Sequence, residues 1–395
     1  MGLAMPLAVA ASAQSVDVVI AQADSLVDIY DFSGAAAKLA SAQRQLKKAP
    51  EFQEDAADVQ RRIDIAHRML DHVERLVILD SIAVPEEEFF TAYRLPASAG
   101  RLLAPKDIPV PELREEASMA YANEAGDFMM WSMPDSVGTL RIREASRLTD
   151  GSWQYSDFAD LNMGGDADFP FLSADGTMLY FAEDGDESLG GYDIFVATRD
   201  PQTGEYLKPS NLGMPFNSPF DDYMIAYDET NGVGWWATDR NRLPGQVTVY
   251  LFQMADTREN IDPEDENLMD YARILDYKST QPEGEDYSDL LGIIRAIDPN
   301  ATTHEDFRIP VKGGKVLTLY DELPDEEARQ AVRDYLQAEA SLKVDEDRLR
   351  KMRHEYAETR SDELAKRIKG LEQGLELERN ALRKNRSAMY RTLNR

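Results

Sequence analysis

One turn, at residues 173–176, constrains the fold of this chain more than any other feature. Its sequence is Ser-Ala-Asp-Gly, and the segments on either side, 166–172 and 178–182, are rich in apolar and aromatic residues. Asp-Gly between two such segments is the strongest short-range signal of a β-hairpin. An acidic loop that ends in Gly-Gly then leads to a third apolar segment, 192–198. We therefore predict an antiparallel meander of three strands.

The same arrangement occurs twice more in the chain, at spacings of about 50 residues. Residues 120–144 repeat it upstream with a turn at 123–127, and residues 222–252 repeat it downstream with a turn at 228–232. A period of this length fits the blades of a β-propeller better than ankyrin or leucine-rich repeats. Closed propellers usually have at least four blades, so two arrangements stay open. One is a small ring in which 77–117 form a degenerate first blade, and the other is an open or partial propeller.

The central copy resembles the WD40-like repeat of TolB-type β-propellers. That repeat reads Pro-x-Phe-Ser-x-Asp-Gly-x-x-Leu-x-Phe, followed by Gly-Gly-x-Asp-Ile-Tyr, and the chain matches it except that Phe195 replaces the tyrosine. The resemblance covers residues 118–252. It implies a structural role in the blade for Pro170, Ser173, Asp175, Gly176, Gly190, Gly191 and Asp193. For the family it implies a protein-interaction platform, with outer-membrane or peptidoglycan-associated partners in a Gram-negative, Bacteroidetes-like cell envelope.

The N-terminal sequence predicts export. A short apolar stretch and the small-residue sequence Ala-Ser-Ala precede Gln14, which indicates a signal peptide at 1–13. The chain has no cysteine, so we expect neither disulfides nor a lipoprotein anchor. No later stretch approaches the roughly 18 apolar residues of a membrane span. We therefore expect a periplasmic protein without a transmembrane segment.

The net charge limits the classes of partner. It is −30 at neutral pH, with 73 acidic against 43 basic residues. Nucleic acids and anionic membrane surfaces both require a basic surface on the protein, so we do not expect either as the main partner. The segment 341–395 differs from the rest because Lys and Arg outnumber Asp and Glu there. We interpret it as a separate module.

Helical patterns flank the repeats on both sides. Apolar residues at i, i+3 and i+4 spacing predict helices within 16–76, which look like one tetratricopeptide-type unit. A peptide-binding groove and a bundle packed on the propeller both fit this segment. Near the C-terminus, apolar residues recur every three, four or seven positions, as in a coiled coil. There we favour an antiparallel helical hairpin, with a capping box at Thr359 and Asp362, over one continuous helix.

The predicted fold is mainly β with helical flanks. A WD40-like β-propeller, small or partial, follows a helical hairpin or bundle and precedes a C-terminal coiled coil. The predicted segments are a signal peptide at 1–13, a tetratricopeptide-like helical segment at 16–76, propeller repeats at 77–256, an acidic linker at 257–289, a small three-stranded β segment at 290–323 and coiled-coil helices at 324–393.

The sequence offers little chemistry. Asp166, Asp168, Asp184, Asp186 and Glu187 could supply oxygen ligands to calcium, but turn aspartates more often bind backbone amides. The four histidines lack a second ligand at zinc spacing. We predict no catalytic residue, metal or cofactor. As candidate partner-binding residues we select Trp235, Trp236 and Arg240, because an exposed Trp at a loop rim suits an interface. A core position for at least one Trp and a strand-end ion pair for Arg240 are the simpler alternatives.

The leading hypothesis is a non-enzymatic periplasmic scaffold whose propeller and coiled coil each bind a protein of the envelope. One alternative is a carbohydrate-active or hydrolytic enzyme on the propeller, and another is a structural homo-oligomer assembled through the coiled coil. The centre of the propeller discriminates between the first two. Convergent carboxylates of raised pKa there would favour hydrolysis, whereas apolar plugs would favour the scaffold.

Overall fold

The computed structural model describes residues 15–115, 117–148, 151–161, 163–200, 203–255, 257–299, 307, 309–311, 316–317 and 320–393. The chain divides into two compact units, Met1–Ala301 and Thr302–Arg395. The signal peptide predicted at 1–13 lies outside the described residues.

The first unit begins with helices α1 (Val16–Asp28), α2 (Phe32–Leu46) and α3 (Gln53–Leu70). Asp31 caps α2, because its Oδ1 accepts a hydrogen bond from Gly34 N at 2.9 Å. The buried faces of the helices pack on one another, on Leu189 and Met214 of the β region, and on Ile261, which follows β13. Of the two alternatives for this segment, the contact favours a bundle packed on the sheets.

Two arginines of α3 fix the bundle to the acidic loop and its surroundings. Arg62 donates from Nε to the Leu189 carbonyl oxygen at 2.8 Å and from Nη2 to that of Pro219 at 3.1 Å. Arg61 Nη1 donates to the carbonyl oxygens of Asp186 and Ser188 at 3.1 and 3.2 Å. Guanidinium groups suit this position because their several donors have a fixed geometry.

Strands β1–β13 form three antiparallel sheets within the described part of the chain. Their bounds are β1 Val77–Pro85, β2 Arg101–Leu103, β3 Ala120–Ala122, β4 Phe128–Pro134, β5 Leu140–Arg147, β6 Trp153–Phe158, β7 Asp166–Leu172, β8 Met178–Asp184, β9 Tyr192–Thr198, β10 Ser210–Asn211, β11 Asp222–Asp228, β12 Val233–Thr238 and β13 Gln246–Gln253. The strand orders are β2-β3-β4-β5-β6, β10-β9-β8-β7 and β1-β13-β12-β11. Each sheet therefore contains one of the predicted meanders, and those hairpin pairings are confirmed.

The three meanders turn in the same way. Gly126, Gly176 and Gly232 occupy equivalent positions with φ of +66°, +74° and +67°, a region that glycine enters without a steric penalty. In the central turn, Ser173 Oγ accepts from Met178 N at 2.9 Å and donates to Asp175 Oδ1 at 2.6 Å. The hydrogen bond from Ser173 is the main reason that the pKa of Asp175 is lowered. Local hydrogen bonds thus use the polar groups of this motif.

Pro170 lies in β7, where the pairing with β8 shifts register between Asp168 and Phe171. A proline has no N–H to donate to the ladder, so an irregularity of this kind is where a strand tolerates it. The short 3₁₀ segments Glu86–Ala92, Ala97–Ala99, Pro105–Asp107 and Pro111–Glu115 connect β1 to β3 around β2. The prolines of this region accordingly fall outside long helices.

Strand β1 does not start a blade of its own. It pairs antiparallel with β13, with Val77 opposite Gln253 and Pro85 opposite Gln246, and is the outer strand of the third sheet. The degenerate first blade considered for 77–117 is therefore wrong. Its β-branched sequence predicts a strand, but the partner lies far away in sequence and no local pattern indicates it.

The segment predicted as an acidic linker, 257–289, is folded onto the first unit. Helix α4 (Leu268–Arg273) contributes Ala272 to the core that the N-terminal helices form. A 3₁₀ turn, Tyr277–Thr280, contacts β1, since Ile78 N donates to Thr280 Oγ1 at 2.9 Å. Helix α5 (Ser288–Ala296) replaces a predicted strand and packs Ile294 into the core of the sheets. These contacts compensate for the polar composition of the segment.

The second unit combines a short β pair with a helical hairpin. Strands β14 (Ile309–Pro310) and β15 (Val316–Leu317) pair antiparallel. Helices α6 (Glu326–Thr359) and α7 (Asp362–Leu393) run antiparallel, as the pairing of Arg353 with Glu372 at 2.7 Å requires. The preferred hairpin is confirmed. The capping box is wrong, because Ser361 Oγ accepts from Leu364 N at 3.4 Å and Thr359 belongs to α6.

Helix accounts for 42% of the structure and strand for 25%, so "mainly β" describes the centre of the first unit rather than the whole chain. The difference arises from α4, α5 and the length of the C-terminal hairpin. Among the described residues, none of the helices combines the length and apolar character needed to cross a membrane.

Candidate functional site

Aromatic side chains fill the core that the three sheets share. Residues of all three sheets join in one hydrophobic cluster, and β7 contacts both β3 and β11. Phe89, which follows β1 in the chain, places its ring centroid 5.3 Å from that of Phe169 and 5.5 Å from that of Tyr223. Tyr93 is fully enclosed and donates from Oη to the Met224 carbonyl oxygen at 2.9 Å. An apolar plug therefore occupies this core.

Carboxylates gather beside the plug at the ends of the strands. Burial is the larger cause, and the nearby carboxylate of Asp221 the second, of a raised pKa at two residues. The pKa of Asp184 is raised, and that of Asp239 is raised to about 6. Asp239 Oδ1 accepts from Asp221 N at 2.9 Å, and Asp221 Oδ1 accepts from Tyr192 N at 2.8 Å. Backbone amides thus hold two of the three carboxylates in place, as expected for turn aspartates.

The Gly-Gly pair and Asp193 build the loop after β8. A Cβ at Gly190 would collide with the Phe220 carbonyl oxygen, and one at Gly191 would collide with the Asp221 carboxylate. Asp193 is completely buried and accepts from Leu189 N at 2.9 Å and from Asn211 Nδ2 at 2.7 Å. Burial raises the pKa of Asp193 to about 8. Close packing of two sheets explains these residues.

The structure does not leave either tryptophan of β12 at a surface. Trp235 is 3% exposed and packs in the core of the sheets, with its ring 6.3 Å from that of Tyr93. Trp236 is completely buried against Tyr250 and Phe252. Alternation along the strand places them on opposite faces, but both faces are covered. The expectation of an exposed Trp is therefore wrong.

Arg240 is also largely buried, at 8% exposure. Its Nη2 donates to Asp222 Oδ1 at 2.8 Å and to the Phe216 carbonyl oxygen at 2.7 Å, and its Nε donates to Thr238 Oγ1 at 3.1 Å. The strand-end ion pair considered for this residue is present. Because Asp222 is enclosed, loss of the guanidinium would leave a buried charge without a partner.

Two of the acidic residues considered as calcium ligands accept hydrogen bonds from backbone amides. Asp166 Oδ1 accepts from Leu140 N at 2.8 Å, and Asp168 Oδ1 accepts from Phe169 N at 2.7 Å. Within the described ranges, no group of three or more acidic, His or Cys side chains has the arrangement that a metal ion needs. These aspartates bind backbone amides instead.

Arg240 also lines a cavity of about 350 Å³ that the sequence does not predict. Tyr30 from the end of α1, Arg242 after β12 and Arg273 at the end of α4 contribute to the same lining. We refer to these four residues and the cavity as the arginine pocket. The Arg-Asn-Arg sequence at 240–242 is the one local signal of it. No protein-family model, curated protein or solved structure matches this chain.

Proposed function

We propose that the chain is a non-enzymatic protein-interaction scaffold, in which the three-sheet body and the α6–α7 hairpin each bind a protein partner. The observation that carries this proposal is the aromatic plug. Phe89 and Tyr93 lie in the core that the three sheets share, where a propeller enzyme would need an open, polar funnel. We therefore propose that the body binds its partner through its outer surface.

For the body, the proposed architecture is a small or partial propeller of TolB-type, WD40-like blades. Three consecutive meanders of similar turn geometry support it. The pairing of β1 with β13 also supports it, because this pairing joins the first strand of the body to the last sheet. For the cellular setting we retain export to the periplasm of a Gram-negative envelope, with outer-membrane or peptidoglycan-associated proteins as partners.

The helical hairpin supplies the second interaction surface. Its coiled-coil seam is used internally, because Leu349 and Met352 of α6 pack with Leu364, Ile368 and Leu375 of α7. That seam is therefore not free to assemble a homo-oligomer, which makes the structural homo-oligomer a weaker candidate. Among the described residues of the hairpin, two large apolar side chains are exposed outside it: Val344 at 57% and Leu377 at 72%. They suit contact with another protein.

Affinity capture from an envelope extract tests the scaffold. We compare the full chain with the double variant Val344→Asp and Leu377→Asp, and with Val137→Asp as a control at a residue that is 82% exposed in the β4–β5 turn. A protein that the wild type and the control retain, and the double variant loses, is the expected result. Recovery of the same proteins by all three chains would show that the hairpin surface binds nothing specific.

The raised pKa of Asp239 favours a hydrolase as a second candidate, because a carboxyl that titrates near pH 6 is a suitable general acid. Asp239 would be its acid and Asp184 its base. Hydrolysis of glycoside or peptide model substrates by the wild type, abolished in Asp239→Asn, would establish the hydrolase. Equal background rates for both chains would exclude this role of Asp239.

A further inference from the structure

The arginine pocket lies where three distant parts of the first unit meet. Tyr30 follows α1, Arg240 and Arg242 follow β12, and Arg273 ends α4. Phe220, Ile274 and the exposed side chains Ile29 and Leu275 complete much of the lining. The pocket therefore combines cationic and apolar surface, and its volume of about 350 Å³ accommodates a small organic molecule.

In the described part of the chain, two arginines of the pocket stack on aromatic rings instead of forming ion pairs. Arg242 lies over the Phe220 ring at 5.0 Å and Arg273 over the Tyr30 ring at 5.4 Å. Within the described residues, no carboxylate comes within ion-pair distance of either guanidinium. Asp28 also lines the pocket, but Arg62 Nη2 pairs with it at 3.1 Å. Asp239 lies near enough to Arg242 for their charges to interact, whereas no carboxylate of the described residues pairs with Arg273.

A buried hydrogen-bond donor beside the pocket has no acceptor in the described part of the chain. Arg240 uses Nη2 and Nε for protein acceptors, whereas its enclosed Nη1 has no hydrogen-bond partner among the described residues. The enclosed Tyr30 hydroxyl lies beside the Ser218 side chain, with which it interacts. An unsatisfied buried donor is costly, and charged donors are the most costly. An acceptor that enters the pocket would relieve this cost.

The backbone around the pocket is strained. Tyr30, Arg242 and Ile274 have φ of +65°, +53° and +53°, in the left-handed region that disfavours side chains. Ile274 is β-branched, for which this conformation is least favourable. Ile274 is the C-terminal cap of α4 and Tyr30 follows the C-terminal cap of α1, where helices often end with a left-handed residue. All three residues line the same pocket.

From these observations we propose that the arginine pocket binds a small organic oxyanion, a carboxylate or a phosphate monoester that carries an apolar group. The guanidinium of Arg273 and that of Arg242 bind the oxyanion, and Arg240 Nη1 donates to its oxygens. The apolar group contacts Ile274 and Phe220. This site is independent of the partner surfaces of the scaffold.

Isothermal titration calorimetry of the full chain at fixed ionic strength tests the site with three probes: inorganic phosphate, phenyl phosphate and benzoate. We expect saturable binding of phenyl phosphate or benzoate, tighter than that of inorganic phosphate because the ring contacts the apolar lining. The tighter of the two aromatic probes identifies the oxyanion as phosphate or carboxylate. No saturable binding of any probe, or inorganic phosphate binding as tightly as both aromatic probes, would overturn the proposal.

Two variants place the binding in this pocket. Arg273→Gln removes one charge and Arg242→Gly removes another at a position where the backbone favours glycine, so folding is retained. Each is expected to weaken the better probe at least tenfold, as loss of one charged hydrogen bond predicts. The matched control is Arg44→Gln. Arg44 is exposed near the end of α2 and does not line the pocket. Equal affinity of all four chains would overturn the assignment.

Discussion

Arg242 has its backbone in the left-handed region although its side chain is exposed. In this conformation a residue with a Cβ is about 1 kcal/mol less favourable than glycine. Glycine loses part of this advantage because its unfolded state has more conformational entropy. We therefore expect Arg242→Gly to raise the free energy of unfolding by about 0.5 kcal/mol. Arg242→Ala keeps the Cβ and is the control. Urea denaturation measures both, and a glycine variant no more stable than the alanine variant would contradict the strain.

Asp239 makes stability depend on pH. Its pKa is raised from 3.8 to about 6 in the folded chain, so the folded state binds the proton more tightly than the unfolded state. The stability that this proton adds is present in full below pH 4 and is lost as the pH rises through 6. Because the carboxyl is partly solvated, we expect the free energy of unfolding to fall by about 1 kcal/mol, which is less than the pKa shift would give for a fully buried group.

Asp239→Asn keeps an acceptor for Asp221 N and removes the titration. Its free energy of unfolding is expected to vary less than that of the wild type between pH 4 and 7. Chemical denaturation at several pH values measures the difference. Identical pH profiles would mean that Asp239 does not titrate in this range.

At single residues, local rules predict turns well and burial poorly. Ser173, Asp175 and Gly176 do what the Asp-Gly motif indicates, because the hydrogen bonds that fix them lie within five residues. The burial of Trp235 and Trp236 could not be predicted in this way. Alternation along a strand places them on opposite faces, but it does not indicate what covers each face. Here the sheet core covers one and Phe252 with Tyr250 the other.

Two leucines of α7 provide a test of the hairpin. Leu375 is 1% exposed in the seam between α6 and α7, whereas Leu377 is 72% exposed. We expect Leu375→Ala to cost about 2–5 kcal/mol of the second unit's stability through lost packing. Leu377→Ala should stay within about 0.5 kcal/mol of the wild type. Thermal unfolding followed by circular dichroism at 222 nm measures both, and similar melting curves would contradict the seam.

For elements, patterns predict segments whose partners are close in sequence. The three meanders and the α6–α7 hairpin belong to this class, because each pairs with its neighbour along the chain. The apolar run within 290–297 predicts a strand where the structure has α5, because a short run of this kind fits either element until its packing is known. Thr359 fits a capping motif, yet the helix continues through it and the chain turns at Arg360, whose φ is +51°.

The two units have separate cores, which two spectroscopic signals distinguish. All four tryptophans belong to the first unit, whereas α6 and α7 are the longest helices. We expect urea transitions followed by tryptophan fluorescence and by helicity to have different midpoints. Leu375→Ala should shift the helicity curve and leave the fluorescence curve unchanged. Coincident shifts of both curves would show that the units unfold together.

At the scale of the molecule, the sequence indicates repeats but not the pocket that they help to form. Tyr30, Arg242 and Arg273 meet because helices α1 and α4 pack beside the third sheet. None of the three belongs to the repeat pattern. The segment that carries Arg273 was interpreted as a linker, since its composition is polar and acidic. Its docking on α1–α3 depends on contacts distant in sequence.

The position of β1 has a consequence for how the chain reaches this fold. Val77 pairs with Gln253, so the strand emerges from the ribosome long before its partner. At about 5–20 residues per second, the delay is on the order of 10–30 s. During this time an apolar, β-branched strand has an unpaired edge, which favours pairing with other chains. Because this pairing is distant in sequence, we expect the third sheet to form slowly, and a chaperone that holds β1 to increase the yield of folded protein.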